Sequence, residues 1–486
     1  MLGNDIFKKN IIIFGASKAG QDIYKYLSQM GSDIKYFVDN DKGKWGKTLN
    51  NKVIYNPEVL REIDKDTDYI IIGSMYIDEI SKQLNEMGLN DLYVDMFYLI
   101  DFLTRDNLKD SFCNLKNVNT KKKVDEWEYL LILPRGFVLG GAEIWSLKTY
   151  KLLSERKRSV ALVSLSEDGK QNLIFPKDQY TIIKLLSKQN NFMERIKYLI
   201  NSLSQYLPFV LITTNTYEIF LASVFLKKLF NHKFKLISIL HSDTEICYMQ
   251  NARYEGIIDK FICVSDEIKY KLIDRINHRE KDICTLITPI KINNYTRVYL
   301  NQNSPLKLGY AGRLVKADKR TDYLIDLIEI LENKNLNYEF EIAGEGEYSS
   351  VIKEFIINKG ISNKVKCLGS IPNDQIDEFW RKQDILINVS DVEGASIAMF
   401  EGMGNGAVPI ITNVAGGRRF VKHGENGFIV EAGDIHRMAQ YIQYLEENRD
   451  LLEILGKRSI QTVLHLCNPE HFIEKLIQIC EYSVSV

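Results

Sequence analysis

The sequence predicts an α/β protein built on three parallel sheets. Short apolar runs alternate with helix-length amphipathic segments along most of the 486 residues, turn residues close each run, and the alternation lapses in one polar stretch near residues 105–126. At about 150 residues per domain, the length also suits three units.

In the first series, "NIIIFG", "DIKYFVD", "DYIIIGS" and "DLYVD" read as strands with helices between them, which predicts a βαβ domain over residues 1–105. Residues 106–126 gather Asn, Asp and Lys and are expected to form a linker. The second series, "EYLLILP", "FVLITT", "FKLISIL", "KFICVS" and "ICTLITP", predicts a domain over 127–300. The third, "LKLGYAG", "YEFEIAG", "KVKCLG", "DILINVS" and "AVPIITN", predicts one over 301–486. Residues 433–484 read as helical, and the last helix is long enough to cross back onto the second domain. Two such domains joined by one connection leave a cleft faced by the carboxyl ends of strands, where α/β proteins bind ligands.

Composition removes several classes of function. With 63 Lys+Arg against 64 Asp+Glu, the chain has no basic field suited to nucleic acid. Charged residues interrupt every apolar run before it reaches the roughly 18 residues that span a bilayer, and the N-terminal run lacks a signal-peptide pattern. The 7 cysteines are scattered and never spaced Cys-x-x-Cys, so no disulfide framework or metal site is expected and a cytoplasmic location fits.

The chemistry concentrates in residues 384–417, "DILINVSDVEGASIAMFEGMGNGAVPIITNVAGG". A strand should end near Ser390 and a helix begin near Ser396, leaving the N–H groups of Gly394, Ala395, Ser396 and Ile397 to hold an anion. Glu393 precedes that helix, and Glu401 sits one turn inside it, read as a carboxylate exposed in the cleft. Carboxylates there suit vicinal sugar hydroxyls. Cations for a diphosphate come from "YAGRLVKADKR", in which Arg313 pairs with either Lys319 or Arg320.

Residues 127–486 resemble the glycosyltransferases of family 4, retaining nucleotide-sugar transferases of GT-B fold. The matching pieces are "GGAE" at 140–143, "GRLVKADKR" at 312–320, "AGEGE" at 343–347, Glu393-x7-Glu401 and "AGG" at 415–417. The resemblance implies two Rossmann-like domains facing a cleft, with the third Rossmann-like domain ahead of them. It implies that Arg313 and Lys319 bind the donor diphosphate, Glu401 the ribose, and that Glu393 and His241 lie by the transferred sugar. Gly140 and Gly141 match a loop at the donor phosphates. No metal or cofactor is implied; the donor is a nucleoside-diphosphate sugar, with UDP-sugar favoured. The acceptor is a saccharide, lipid-linked glycan or protein-linked glycan in bacterial surface-polysaccharide synthesis. A donor-binding scaffold and a nucleotide-sugar epimerase of the same fold are the rival readings.

In the first domain, Gly15-x-Ser17-x-x-Gly20, followed by Asp39 at the end of the second strand, has dinucleotide-binding spacing with its middle glycine replaced. The segment also resembles the N-terminal nucleotide-sugar-binding domain of bacterial sugar acyltransferases, notably at "VDNDKGKWG". Phe225, Leu226, Leu229 and Phe230 alternate with Lys227, Lys228, Lys233 and Lys235, the pattern of an element resting on anionic lipid, so peripheral contact with the inner face of the membrane is a further expectation.

Overall fold

The computed structural model describes residues 9–29, 31–74, 76–96, 98–99, 127–133, 140–166, 179–185, 192–207, 209–229, 234–292, 297, 299, 304–372, 374–414 and 416–481. The expected linker at 106–126 lies outside them. Two compact units make up the chain: Met1–Lys123 with Ser187–Gln205 and Val224–Leu229, and Val124–Leu186 with Tyr206–Ser223 and Phe230–Val486.

The first unit holds a sheet of β1 (Asn10–Phe14), β2 (Ile34–Val38), β3 (Thr48–Leu49), β4 (Lys52–Tyr55), β5 (Asp68–Ile72) and β6 (Tyr93–Asp95), ordered β3-β4-β2-β1-β5-β6. It is parallel except for the β3/β4 hairpin at its edge, which the sequence reading passed over because Asn50 and Asn51 break the apolar run. Both asparagines take the left-handed conformation that closes such a turn.

The second unit holds two sheets. One comprises β7 (Tyr129–Leu133), β8 (Val160–Ser164), β9 (Ile182–Lys184), β10 (Phe209–Thr213), β11 (Phe234–Leu240), β12 (Lys260–Cys263) and β13 (Ile283–Thr285). The other comprises β14 (Leu306–Ala311), β15 (Tyr338–Ala343), β16 (Val365–Gly369), β17 (Ile385–Asn388), β18 (Val408–Thr412) and β19 (Phe428–Val430). Their orders are β13-β12-β11-β10-β7-β8-β9 and β16-β15-β14-β17-β18-β19, all parallel. Each reverses direction beside its own first strand, β7 or β14, where the crossover helices change face.

Strands in such sheets are covered on both faces, so they read as unbroken apolar runs. In the third sheet, Ile385 and Ile387 join the cluster of Leu324, Phe340 and Ile442, while Leu386 between them joins Trp380, Phe400 and Val463 on the other face. The helices Ile435–Glu447, Asp450–Leu466 and Pro469–Glu481 complete the chain. The last packs on the helix Gly141–Glu155: the Phe472 ring lies 5.8 Å from that of Trp145, edge to face. Lys235 Nζ donates to the Cys480 carbonyl at 2.5 Å, and Arg156 pairs with Glu470.

Phe472 is almost wholly buried, so Phe472→Ala should cost about 3–5 kcal/mol. Urea unfolding followed by tryptophan fluorescence would register the loss as a lowered midpoint.

Candidate functional site

The site is built from loops at the carboxyl ends of strands. After β14, the chain turns through residues 312–321, closed where Thr321 Oγ1 donates to the Val315 carbonyl at 3.1 Å. Gly312 N donates to Ala343 O at 3.0 Å, and Leu314 N to Glu345 O at 2.9 Å, which seats this loop on the "AGEGE" segment after β15. After β17, Asp391 N donates to the Asp318 carbonyl at 3.0 Å, so a third loop is laced to the first. Tyr310 Oη donates to the Arg313 carbonyl at 3.2 Å. Burial, reinforced by Glu393 and Asp318, pushes that phenol well above its ordinary pKa, so it remains a donor.

This lacing brings Lys319 and Glu393 together: Nζ lies 2.5 Å from Oε1, with both side chains largely buried. Ser390 Oγ donates to the same carboxylate oxygen at 3.3 Å. Arg313 is more open and reaches Asp318 at 2.8 Å. The structure separates Lys319 from Arg320, which the sequence left as alternatives. Arg320 has a positive φ of 46°, pairs with Asp391 at 2.8 Å and Asp322 at 3.1 Å, and stacks 3.7 Å above the Tyr323 ring. It fastens loops, while Lys319 faces Glu393.

The helix Ile397–Gly404 starts beside this pair. Ser396 is its N-cap, with Oγ accepting from Met399 N at 3.3 Å, so the hydroxyl is already engaged. Among the described residues, the N–H groups of Gly394, Ala395 and Ser396 find no backbone acceptor. Gly394 is required by contact: a Cβ there would lie 2.1 Å from the His241 carbonyl oxygen, at the end of β11. A Cβ on Gly416 would in turn lie 2.6 Å from the Gly394 carbonyl. Gly140 and Gly141 begin the helix Gly141–Glu155 on the opposite side, and a Cβ on Gly141 would fall 3.9 Å from Ile397.

Glu401 departs from expectation. It is 6% exposed, and its Oε1 accepts from Lys148 Nζ at 3.0 Å. Lys148 sits two turns into the helix Gly141–Glu155 and carries no local sequence signal; it is one of 63 basic residues until the fold places it opposite Glu401. His241 Nε2 is buried and, among the described residues, has no hydrogen-bond partner, its ring edge-on to Trp145 at 5.6 Å. Burial pushes its pKa down to about 3, so the imidazole is neutral at physiological pH.

The glycine turn of the first sheet is used internally. Gly15 has φ +118°, a Cβ on it would meet Gly73 O at 2.6 Å, and a Cβ on Gly20 would meet Gly15 O at 1.9 Å. Ser17, between them, is exposed. Asp39 is engaged within this turn: its carboxylate accepts from Ala16 N at 2.7 Å, Asp41 N at 2.8 Å and Lys44 Nζ at 3.0 Å. The Ala16 amide, a donor the phosphate-cradling role would need, is thereby occupied. The lipid-facing reading also weakens, because Lys227 is buried and Lys235 is held by the last helix; Phe230 and Lys233 lie outside the described residues. No helix among the described residues is long and apolar enough to cross a membrane.

Residues 292–462 match the family model of glycosyl transferases group 1. This segment, with the third sheet and the Arg313, Lys319, Glu393 and Glu401 positions, is a group 1 glycosyltransferase domain. Residues 7–93 match the model of the C2185-like N-terminal domain. An uncharacterized glycosyltransferase of Methanocaldococcus jannaschii is 28% identical over 200 residues, 41% of this chain and 53% of that protein. The poly(ribitol-phosphate) alpha-N-acetylglucosaminyltransferase of Staphylococcus aureus is 24% identical over 202 residues, 41% of this chain and 39% of its own. The chain therefore spans about half or less of the length of these curated relatives. Among solved structures, the pneumococcal O-GlcNAc transferase in complex with UDP and GlcNAc superposes with a TM-score of 0.62 at 12% identity, covering 74% of this chain and 100% of that one. The fold is α/β, and its structural neighbours are GT-B glycosyltransferases.

Two predictions follow from the buried charges and the buried ring. Lys148→Met strands the Glu401 carboxylate and should cost on the order of 2 kcal/mol, below the roughly 3–5 kcal/mol of a fully buried pair because Lys148 keeps part of its side chain in solvent. Adding Glu401→Leu should restore most of the loss in chemical denaturation. His241 has a folded pKa below its unfolded one, so stability drops as pH falls below about 6.5 and continues to drop toward about 3. Between pH 7 and 5 the wild type should lose about 2 kcal/mol more than His241→Gln, read from urea midpoints at each pH.

Proposed function

We propose that the chain is a retaining glycosyltransferase that moves a hexose from a nucleoside-diphosphate sugar, with UDP-sugar favoured, to an acceptor hydroxyl in bacterial surface-polysaccharide or glycoconjugate synthesis. The observation that carries this reading is the convergence of Lys319, Glu393 and the N–H groups of 394–396 at one loop junction, with Arg313 at its open side. The N-acetylglucosaminyl transfer of the S. aureus relative supports transfer of a hexose, and the pneumococcal neighbour's bound UDP supports the nucleotide.

Departure of a nucleoside diphosphate builds negative charge on phosphate oxygens and oxocarbenium character at the anomeric carbon. In this reading, Arg313 and Lys319 neutralise the leaving diphosphate, and the N–H groups beside the helix start hydrogen-bond its oxygens. Glu401 holds the ribose hydroxyls once Lys148 yields one carboxylate oxygen. Glu393 and the neutral His241 lie by the transferred sugar, where an uncharged imidazole does not repel the developing cation. The acceptor oxygen bonds to the anomeric carbon on the face from which the diphosphate leaves. The acceptor's proton passes to the departing phosphate, so no side-chain adduct forms. No metal is assigned a part in the reaction.

Arg313→Ala with Lys319→Ala should lower turnover at least about 100-fold, since each removes a charge aimed at the leaving group. Nucleoside diphosphate release with each UDP-, GDP- and ADP-sugar would measure it, and NMR of the product would read the anomeric configuration. Wild-type turnover in the double variant, or an inverted product, would refute the assignment.

A further inference from the structure

The second unit contains a cavity of about 530 Å³ that none of the residues assigned to the donor lines, where the two sheets are joined and the last helix returns. Ile290 N donates to the Cys467 carbonyl at 2.9 Å, tying the outgoing segment to the returning one beside it. Lys269 and Thr285 line the cavity from the second sheet's side, Arg419 and His465 from the third's, and His471 and Lys475 from the last helix.

The lining is cationic. Its carboxylate, Asp266, is engaged by Arg419. Lys475 Nζ donates to the Thr285 carbonyl at 3.2 Å, and among the described residues neither Lys475 nor Lys269 is paired with a carboxylate. The field of these two ammonium groups reaches the Cys284 thiol in the same wall, where it opposes the upward shift caused by burial. Two ammonium groups, a guanidinium and two imidazoles around one space suit an occupant with several acceptor oxygens and more than one negative charge.

We propose that this cavity binds a phosphate group, carried on a small molecule or on a lipid. Such a ligand touches Lys269 and Arg419 together and so bridges the helix Asp266–Arg275 and the turn after β18. The assignment rests on the cavity alone and does not depend on the transfer reaction.

The test is calorimetric titration of inorganic pyrophosphate into the full chain carrying Arg313→Ala and Lys319→Ala, which strips the expected donor site of its cations. Binding with a dissociation constant below about 1 mM should persist in that background, and further substitution of Lys269→Gln and Lys475→Gln should weaken it at least about tenfold. Lys269→Arg with Lys475→Arg keeps the charges and should keep the binding, which separates lost recognition from lost folding. Bound pyrophosphate should also slow alkylation of Cys284, followed by peptide mass spectrometry. Farnesyl phosphate tighter than pyrophosphate would support a lipid-borne phosphate, and equal or weaker binding a free one. No heat at 10-fold that concentration, about 10 mM, would overturn the proposal. So would binding that vanishes with the Arg313 and Lys319 changes yet ignores those at Lys269 and Lys475.

Discussion

The contact of Gly394 with the His241 carbonyl is the constraint on which the site depends. Parallel sheets present the carboxyl ends of their strands on one edge, and here two such edges meet. They meet closely because Gly394 has no side chain where a Cβ would stand 2.1 Å from the carbonyl oxygen of the opposite loop. Gly416 repeats the device against Gly394 itself. The backbone thereby approaches to a distance that no other residue permits, and the start of the helix Ile397–Gly404 is delivered beside Lys319, Glu393 and the end of β11.

Around that contact the charges are arranged in pairs whose burial sets their consequence. Lys319 with Glu393 and Lys148 with Glu401 are largely withdrawn from water, where an unpaired member is costly and a satisfied pair is tolerated. Arg313 with Asp318 remains more solvated and contributes little to folding, which leaves it free to exchange partners. Arg320 is committed twice over, by its carboxylate partners and by the Tyr323 ring. These charged side chains thus engage one another, and Lys148 already occupies one carboxylate oxygen of Glu401.

The first unit shows the same economy put to a different use. Its glycine turn after β1 has the geometry of a tight strand-to-helix connection, and the Asp39 carboxylate caps that turn. Gly15, Gly20 and Gly73 crowd one another so closely that their lack of side chains is explained by packing alone. Spacing of glycines therefore reports a close backbone approach, and the identity of what approaches comes from the surroundings.

By itself the sequence determined the three α/β sheets, most of their strands and the loops that converge at the candidate site, because apolar period and turn residues are local properties. It missed the short hairpin of β3 and β4, the edge strands β9 and β19, and β8, where a run of five apolar and small residues gave too little length to separate strand from helix. Arg313, Lys319, Glu393 and Glu401 were legible as a set through their order and strand context. Only the tertiary structure decided which were buried and with whom. Lys148 and Glu401 are 253 residues apart in sequence, and no spacing rule connects them. Likewise, Lys319 and Arg320 are adjacent and chemically alike on paper; a left-handed backbone at Arg320 turns one toward Asp391 and leaves the other facing Glu393. Pairing depends on distance through space, which a sequence records only after folding.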